Sequence, residues 1–329
     1  MKRKDGSVLE RLQDSVSYYP DAAFIDKRGI PNRSKYFQQL YTHMFIEDVK
    51  LGIMPIGGRT HKKQFTIALE PSDPNWVQIV ESALSPDEYH HGLASEVCDF
   101  VSQCAVELLL FDSSTFEIVY LSEQKSGKLA GFEFVHINPV TIVQKGNTLL
   151  QVLPNELAAK LGKPGQIELK PERIIAFHLP CGFRDKMDEL MELLSILSSP
   201  VAPDFYMKEM ASRSIKTPYE VKTHIYNHKV ALASATKLYG WNARLIFQEE
   251  VLEYYLIHRS LQFEQFRIEL RDTILETLNQ GIKRAGGQLG FDTQIIVNGL
   301  PTLNDVKIAD DHLQKGDLRF AEILETFRA

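Results

Sequence analysis

The sequence predicts an α+β fold, and three observations carry that prediction. Residues 104–180 break into short runs rich in β-branched and aromatic residues, separated by turn formers. The segments on either side place apolar residues at steps of three and four, the helical spacing. From about Arg244 to Arg284 there is no proline, and the only glycine is Gly281 near the end, which predicts one very long helix.

The chain has 329 residues, 44% hydrophobic and 24% charged, the balance of a folded chain long enough for one large domain or two ordinary ones. A formal net charge of −6 argues against wrapping nucleic acid by dense phosphate neutralisation, while leaving room for DNA that passes with few contacts. The longest apolar runs, such as Val106–Phe111, fall far short of the roughly 18 residues a membrane span needs. Met1–Lys4 is basic but is followed by Asp5, Gly6 and Ser7, so no secretory signal is expected. Cys98, Cys104 and Cys181 have no paired spacing and read as reduced, buried residues of a cytosolic protein.

Residues 1–63 are poorly periodic, with a short helix expected over Lys35–Met44 and an exposed basic loop at Gly57–Lys63. Ser72 or Asp73 is placed to cap a helix with Pro74 in its first turn and Trp76, Ile79, Val80 and Ala83 on one face. Ser85-Pro86-Asp87-Glu88 repeats the start signal for a helix running to about Gln103. Strands are then expected at Val106–Phe111, Phe116–Leu121, Gly131–Ile137, Thr148–Leu153, Gln166–Leu169 and Arg173–Leu179, an antiparallel meander. Glu117 and Glu133, each between apolar neighbours, suggest a sheet wet on one face.

After Pro180 the chain turns helical: Met187–Leu197, Asp204–Ser212, then Tyr219 toward Tyr239, with Thr217-Pro218 as cap and Gly240 as stop. The long helix follows, with Phe263, Phe266, Leu270, Ile274, Leu278 and Ile282 as its apolar stripe and Gly286-Gly287 as its end. A strand over 291–298 and a small helical region around Asp305, Ile308 and Ala309 close the chain.

Catalytic patterns are weak. Ser126-Gly127-Lys128 lacks the hydroxyl and the earlier glycine of a phosphate-binding loop and reads as a hairpin turn. Gly281–Gly290 follows a helix instead of opening one, so it is not a dinucleotide loop. His224 and His228 share a helical face without a third ligand nearby. There is no Gly-x-Ser-x-Gly elbow, and Cys181 sits in a strand-to-helix turn. No catalytic residue, metal or cofactor is expected, and the protein is not expected to be an enzyme.

The order of elements resembles the portal protein family of tailed bacteriophages over roughly residues 70–329. Three stretches carry the resemblance. Trp76–Tyr89 leading into Glu96–Leu121 is similar to the wing helix and its first hairpin. Phe132–Pro139 with Gln166–Pro180, and Glu172–His178 within it, is similar to the strand before the portal stem. Tyr254-Tyr255 through Arg259, Phe263, Phe266, Leu270 and Arg271 to Leu278-Asn279 looks like the long wing helix. The chain is short for a portal, with a small clip and almost no crown.

The resemblance implies a wing-like α+β region at 1–183, a stem with a short clip at 184–239, a tunnel-loop-like break at 240–244, the long wing helix at 245–290 and a reduced crown at 291–329. Its implied function is a ring, commonly of twelve subunits, at one capsid vertex of the virion, assembled in the host cytoplasm. Double-stranded DNA would pass through its channel during packaging and ejection. The implied partners are further copies of the chain, the terminase packaging motor, the major capsid protein and a head-tail adaptor or neck protein, with no membrane.

Gly240, Trp241, Asn242 and Arg244 are the candidates for touching DNA in that channel. Trp241 carries two open readings: loose contact with DNA, or a plug in the seam between neighbouring helices. Tyr254, Tyr255, Phe263 and Phe266 are the candidates for contacts between subunits. Residues 181–212 hold three basic and six acidic residues, either a lining that discourages phosphate from sticking or an ordinary acidic helix surface. Two alternatives remain for the whole chain: an α+β enzyme whose site is built from residues distant in sequence, or a non-phage assembly protein.

Overall fold

The computed structural model describes residues 9–12, 14–19, 33–54, 65–85, 91–124, 126–198, 221–243, 253–316 and 322. Among these residues the fold is mixed α+β, with eight helices and three antiparallel sheets. Packing groups the chain into two units: Met1–Asn32 with Lys50–Pro180 and Leu270–Leu300, and Arg33–Val49 with Cys181–Glu269 and Pro301–Ala329.

The first unit is built on strand β3 (Ser113–Glu123). Strand β4 (Leu129–Ile137) pairs along one edge of it, and β1 (Leu9–Arg11) and β8 (Ile174–His178) share the other. The turn joining β3 to β4 holds Gly127 at φ 64°, as the hairpin reading of Ser126-Gly127-Lys128 requires. Register places Phe116, Ile118 and Tyr120 opposite His136, Phe134 and Phe132 on one face. Helix α3 (Leu93–Phe111) brings Phe100 onto that face, with ring centroids 4.8 Å from Phe116 and 5.8 Å from both Phe134 and Phe177.

Two expectations for this region are corrected. Val106–Phe111 is not a strand but the last two turns of α3, ended by Asp112 at φ 59°. A buried apolar run of six looks the same in a strand and a helix, and here Val97, Val101, Cys104, Leu108 and Phe111 extend one helical face. The sheet face holding Glu117 and Glu133 is not wet, since both residues are buried. The N-terminal segment supplies their partners: the Ser15 N–H donates to Glu117 at 3.0 Å, and Arg11 pairs with Glu133 at 2.7 Å.

The single meander also resolves differently. Strands β5 (Ile142–Lys145), β6 (Thr148–Val152) and β7 (Gln166–Leu169) form a sheet of their own. Together with helix α4 (Asn155–Leu161) it encloses Ile137, Leu153, Ala158, Ile167 and Leu169. The Gln151 amide accepts from the Val16 N–H and donates to the Val16 carbonyl, as a neighbouring strand would. A two-stranded sheet joins β2 (Thr66–Glu70) to β9 (Gln294–Asn298). Helix α2 (Pro74–Leu84) begins as expected, with Asp73 accepting from the Asn75 and Trp76 N–H groups.

The second unit is helical among the described residues. It contains most of α1 (Leu40–Ile53), together with α5 (Cys181–Ser198), α6 (Val221–Tyr239) and α8 (Leu303–Lys315). Phe183, in the first turn of α5, meets Tyr239, in the last turn of α6, and accepts its hydroxyl at 2.6 Å, so the two helices run antiparallel. Helix α8 opens on a capping box between Thr302 and Asp305. Its Val306, Ala309 and Leu313 bury against Ile257, Leu261 and Ile268. Cys181 is exposed at the start of α5, against expectation, whereas Cys98 and Cys104 are buried in α3.

The long helix α7 spans Glu253–Leu289, 37 residues or about 55 Å. Its expected stripe is buried at Phe266, Leu270, Ile274, Leu278 and Ile282, while Phe263 is partly exposed. It does not stop at Gly286-Gly287 but runs to Leu289, with Gly290 at φ 83°. Gly286 serves closeness instead: a Cβ there would stand 2.4 Å from the Phe291 carbonyl. Residues 199–220, which hold the expected Asp204–Ser212 helix and the Thr217-Pro218 cap, lie outside the described residues, as does Phe320–Phe327 apart from Glu322.

Candidate functional site

The break between α6 and α7 holds the channel candidates. Gly240 sits at φ 77° and Ala243 at φ 56°, so the chain passes through two left-handed positions three residues apart. Gly240 lies so close to α7 that a Cβ would meet the Arg259 carbonyl oxygen at 2.1 Å and the Phe263 nitrogen at 2.7 Å. This approach turns the next side chain, Trp241, inward.

Trp241 is 2% exposed. Its indole Nε1–H donates to Asp48 of α1 at 2.8 Å, and its ring meets Phe45 edge-on at 5.6 Å. Within the single chain Trp241 thus packs in a seam between helices. A burial so complete follows from its size: an indole leaves water when its one N–H finds an acceptor. Asn242 is half-buried, and Arg244 lies outside the described residues.

Arg267 of α7 completes this environment. Its guanidinium stands 4.7 Å over the Phe263 ring, pairs with Glu264 and reaches the Asp48 carbonyl at 3.5 Å. Burial pushes its pKa down to about 10, and the Asp48 charge works in the opposite direction. Charge and aromatic rings thus hold α1, α7 and the 240–243 turn together.

The subunit-contact candidates divide. Phe266 is 2% exposed and closed in by Phe45, Phe183, Tyr239 and Phe263, so it is core and not an outer contact. The single chain covers it because α1, read from sequence as poorly periodic, brings Phe45 over it. Phe263 is partly exposed under Arg267. Tyr255 is partly exposed under the Arg259 guanidinium at 4.8 Å. Tyr254 is exposed and stacks on His258.

Sequence reading missed a buried polar cluster on the α3 face of the main sheet. Ser114 Oγ donates to Glu107 at 2.5 Å, His136 Nε2 lies 2.8–2.9 Å from the same carboxylate, and Tyr19 donates to it at 3.3 Å. The carboxylate stands between hydroxyl and imidazole. His136 therefore has no contact that would draw the proton from Ser114, as nucleophilic catalysis requires. The cluster's partners lie 7, 29 and 88 residues from Glu107. Only the helical continuation of α3 through Glu107 was available as a signal, and it was read as strand.

An open cleft of about 660 Å³ lies between Glu70-Pro71, the Glu276–Lys283 turns of α7 and Asp292–Gln294. Its charged groups are solvated, with Lys283 and Asp292 4.0 Å apart. No group of three metal-binding side chains occurs among the described residues, and His228 packs edge-on against Tyr41 at 5.7 Å. No described helix is long and apolar enough to cross a membrane. Comparison with protein-family models and with curated proteins finds no match.

Proposed function

We propose that this chain is a portal-type protein, the subunit of a ring at one capsid vertex through which double-stranded DNA is packaged and ejected. The observation that supports this reading best is the order of elements. An antiparallel sheet ends in a strand leading directly, at Pro180, into the α5–α6 helix pair, a turn at residues 240–243 closes α6, and a 37-residue helix follows from Glu253. A helix of that length exceeds the average of roughly 11–12 residues about threefold, as struts in assemblies do. Further copies of the chain, the terminase motor, the major capsid protein and a neck protein are the proposed partners. The proposed DNA passage uses no contact from Trp241.

Negative-stain imaging and native mass spectrometry of the purified chain test the reading. Closed rings of many subunits are expected. A population of monomers and dimers alone, across several salt concentrations, overturns it.

A further inference from the structure

The α5–α6 pair exposes two stripes whose chemistry is opposite. On α5, Asp185, Asp188, Glu189, Glu192 and Ile196 recur at steps of three and four, all exposed, opposite the buried Met187, Leu190, Met191 and Leu194. Asp188 is engaged by Arg33 at 2.6 Å. Among the described residues no ion pair engages Asp185, Glu189 or Glu192.

Helix α6 contains three lysines and no acidic residue. Tyr226, Lys229, Val230, Ala233 and Lys237 form its exposed stripe, opposite Ala231, Leu232, Ala235 and Tyr239. Four of the exposed positions described across the pair are large apolar residues: Ile196 at 53%, Ile225 at 50%, Tyr226 at 67% and Val230 at 47%. Each stripe lies opposite its own helix's buried face, and among the described residues no ion pair joins one stripe to the other.

Their levels match. The Tyr239–Phe183 hydrogen bond sets the register of the antiparallel pair. With both helices rising about 1.5 Å per residue, Asp185 stands level with Lys237, Glu192 with Lys229-Val230, and Ile196 with Tyr226. Rotation about an axis parallel to the helices preserves every level. It would bring carboxylate to ammonium at two heights and apolar residue to apolar residue at the third.

We infer that α5 of one copy docks on α6 of the next through these stripes, a head-to-tail contact between second copies of this chain. Such a contact is heterologous, so it closes into a ring when the rotation permits. Opposite charges on the two stripes also disfavour pairing like with like, which would set acid against acid and lysine against lysine. The α5 carboxylates thereby gain a duty other than repelling DNA. This inference rests on the ring part of the proposed function alone.

Charge reversal of each stripe in the full-length chain tests it. D185K/E189K/E192K leaves both stripes basic, and K229E/K237E leaves both acidic. Each variant alone is expected to lose assembly, with an apparent dissociation constant raised at least about 100-fold. Mixed in equal amounts, the two are expected to assemble again, alternating, so that native mass spectrometry finds only even subunit numbers. That recovery also demonstrates that both variants are folded. Assembly of either variant alone as in the wild type overturns the inference and leaves the ring reading standing. Failure of the mixture, with wild-type circular dichroism and melting for both variants, also overturns it. A wild-type chain that stays monomeric overturns both the inference and the ring reading.

Discussion

Replacing Trp241 by phenylalanine keeps an aromatic ring against Phe45 but removes the N–H that Asp48 accepts. The half-buried carboxylate then loses that donor, a loss of about 1–3 kcal/mol. Alanine removes the ring as well and opens a cavity, for a total of about 3–5 kcal/mol. Urea unfolding of the two variants should rank them in that order. Equal stability of wild type and Trp241→Ala would show that the indole is not core. At this scale the candidate residues were legible as a set but not in their roles. The sequence marks Trp241 as a large side chain in a break between helices; whether it points in or out depends on Asp48 and Phe45, nearly 200 residues away.

The elements assign their glycines different tasks. Gly240 holds a left-handed turn against the α7 backbone, and a Cβ there would stand 2.1 Å from a carbonyl oxygen that cannot move aside. Gly240→Ala therefore combines a left-handed conformation, costing roughly 1–2 kcal/mol, with a backbone clash. A loss above about 3 kcal/mol is expected from thermal unfolding. Gly287 is exposed in the last turns of α7 with nothing within 4 Å of a Cβ. Gly287→Ala should stabilise the chain by about 0.5–1 kcal/mol, because alanine lowers the entropy cost of helix formation. If both substitutions proved equally harmful, the helix would end before Gly287, as the paired glycines suggest from sequence alone.

Across the whole molecule, the three thiols report on folding. Burial, with the Asp99 charge adding to it, pushes the Cys98 thiol up to about 11, and burial holds Cys104 well above its usual range. Cys181 is exposed. Iodoacetamide at pH 8 should therefore add one group per native chain, at Cys181, and three after unfolding in urea, counted by mass spectrometry. The raised thiol pKa also carries a sign for stability. The folded state keeps a proton that the unfolded state releases, so the Cys98 contribution is full below pH 9 and is lost as pH rises toward about 11. The melting temperature of wild type should fall more steeply across that window than that of Cys98→Ala. Three additions to the native chain would contradict the buried placement of α3.

Local chemistry settled much of this molecule in advance. The α+β class, the capped start of α2, the hairpin turn at Gly127, the α7 stripe from Phe266 to Ile282 and the stop at Gly240 follow from spacing, caps and turn residues within a few positions of one another. The tertiary structure alone decided the rest. Val106–Phe111 became helix because α3 lies on an aromatic sheet face that buries a helical stripe. Glu117 and Glu133 became interior because a segment about 100 residues earlier brings them an N–H and a guanidinium. Phe266 and Trp241 became core because α1 arrives with Phe45 and Asp48. The outward stripes of α5 and α6 could be sorted only once the burial of their opposite faces was known. Periodicity reports which residues share a face. What that face meets is set by long-range packing, in which partners distant along the chain are adjacent in space.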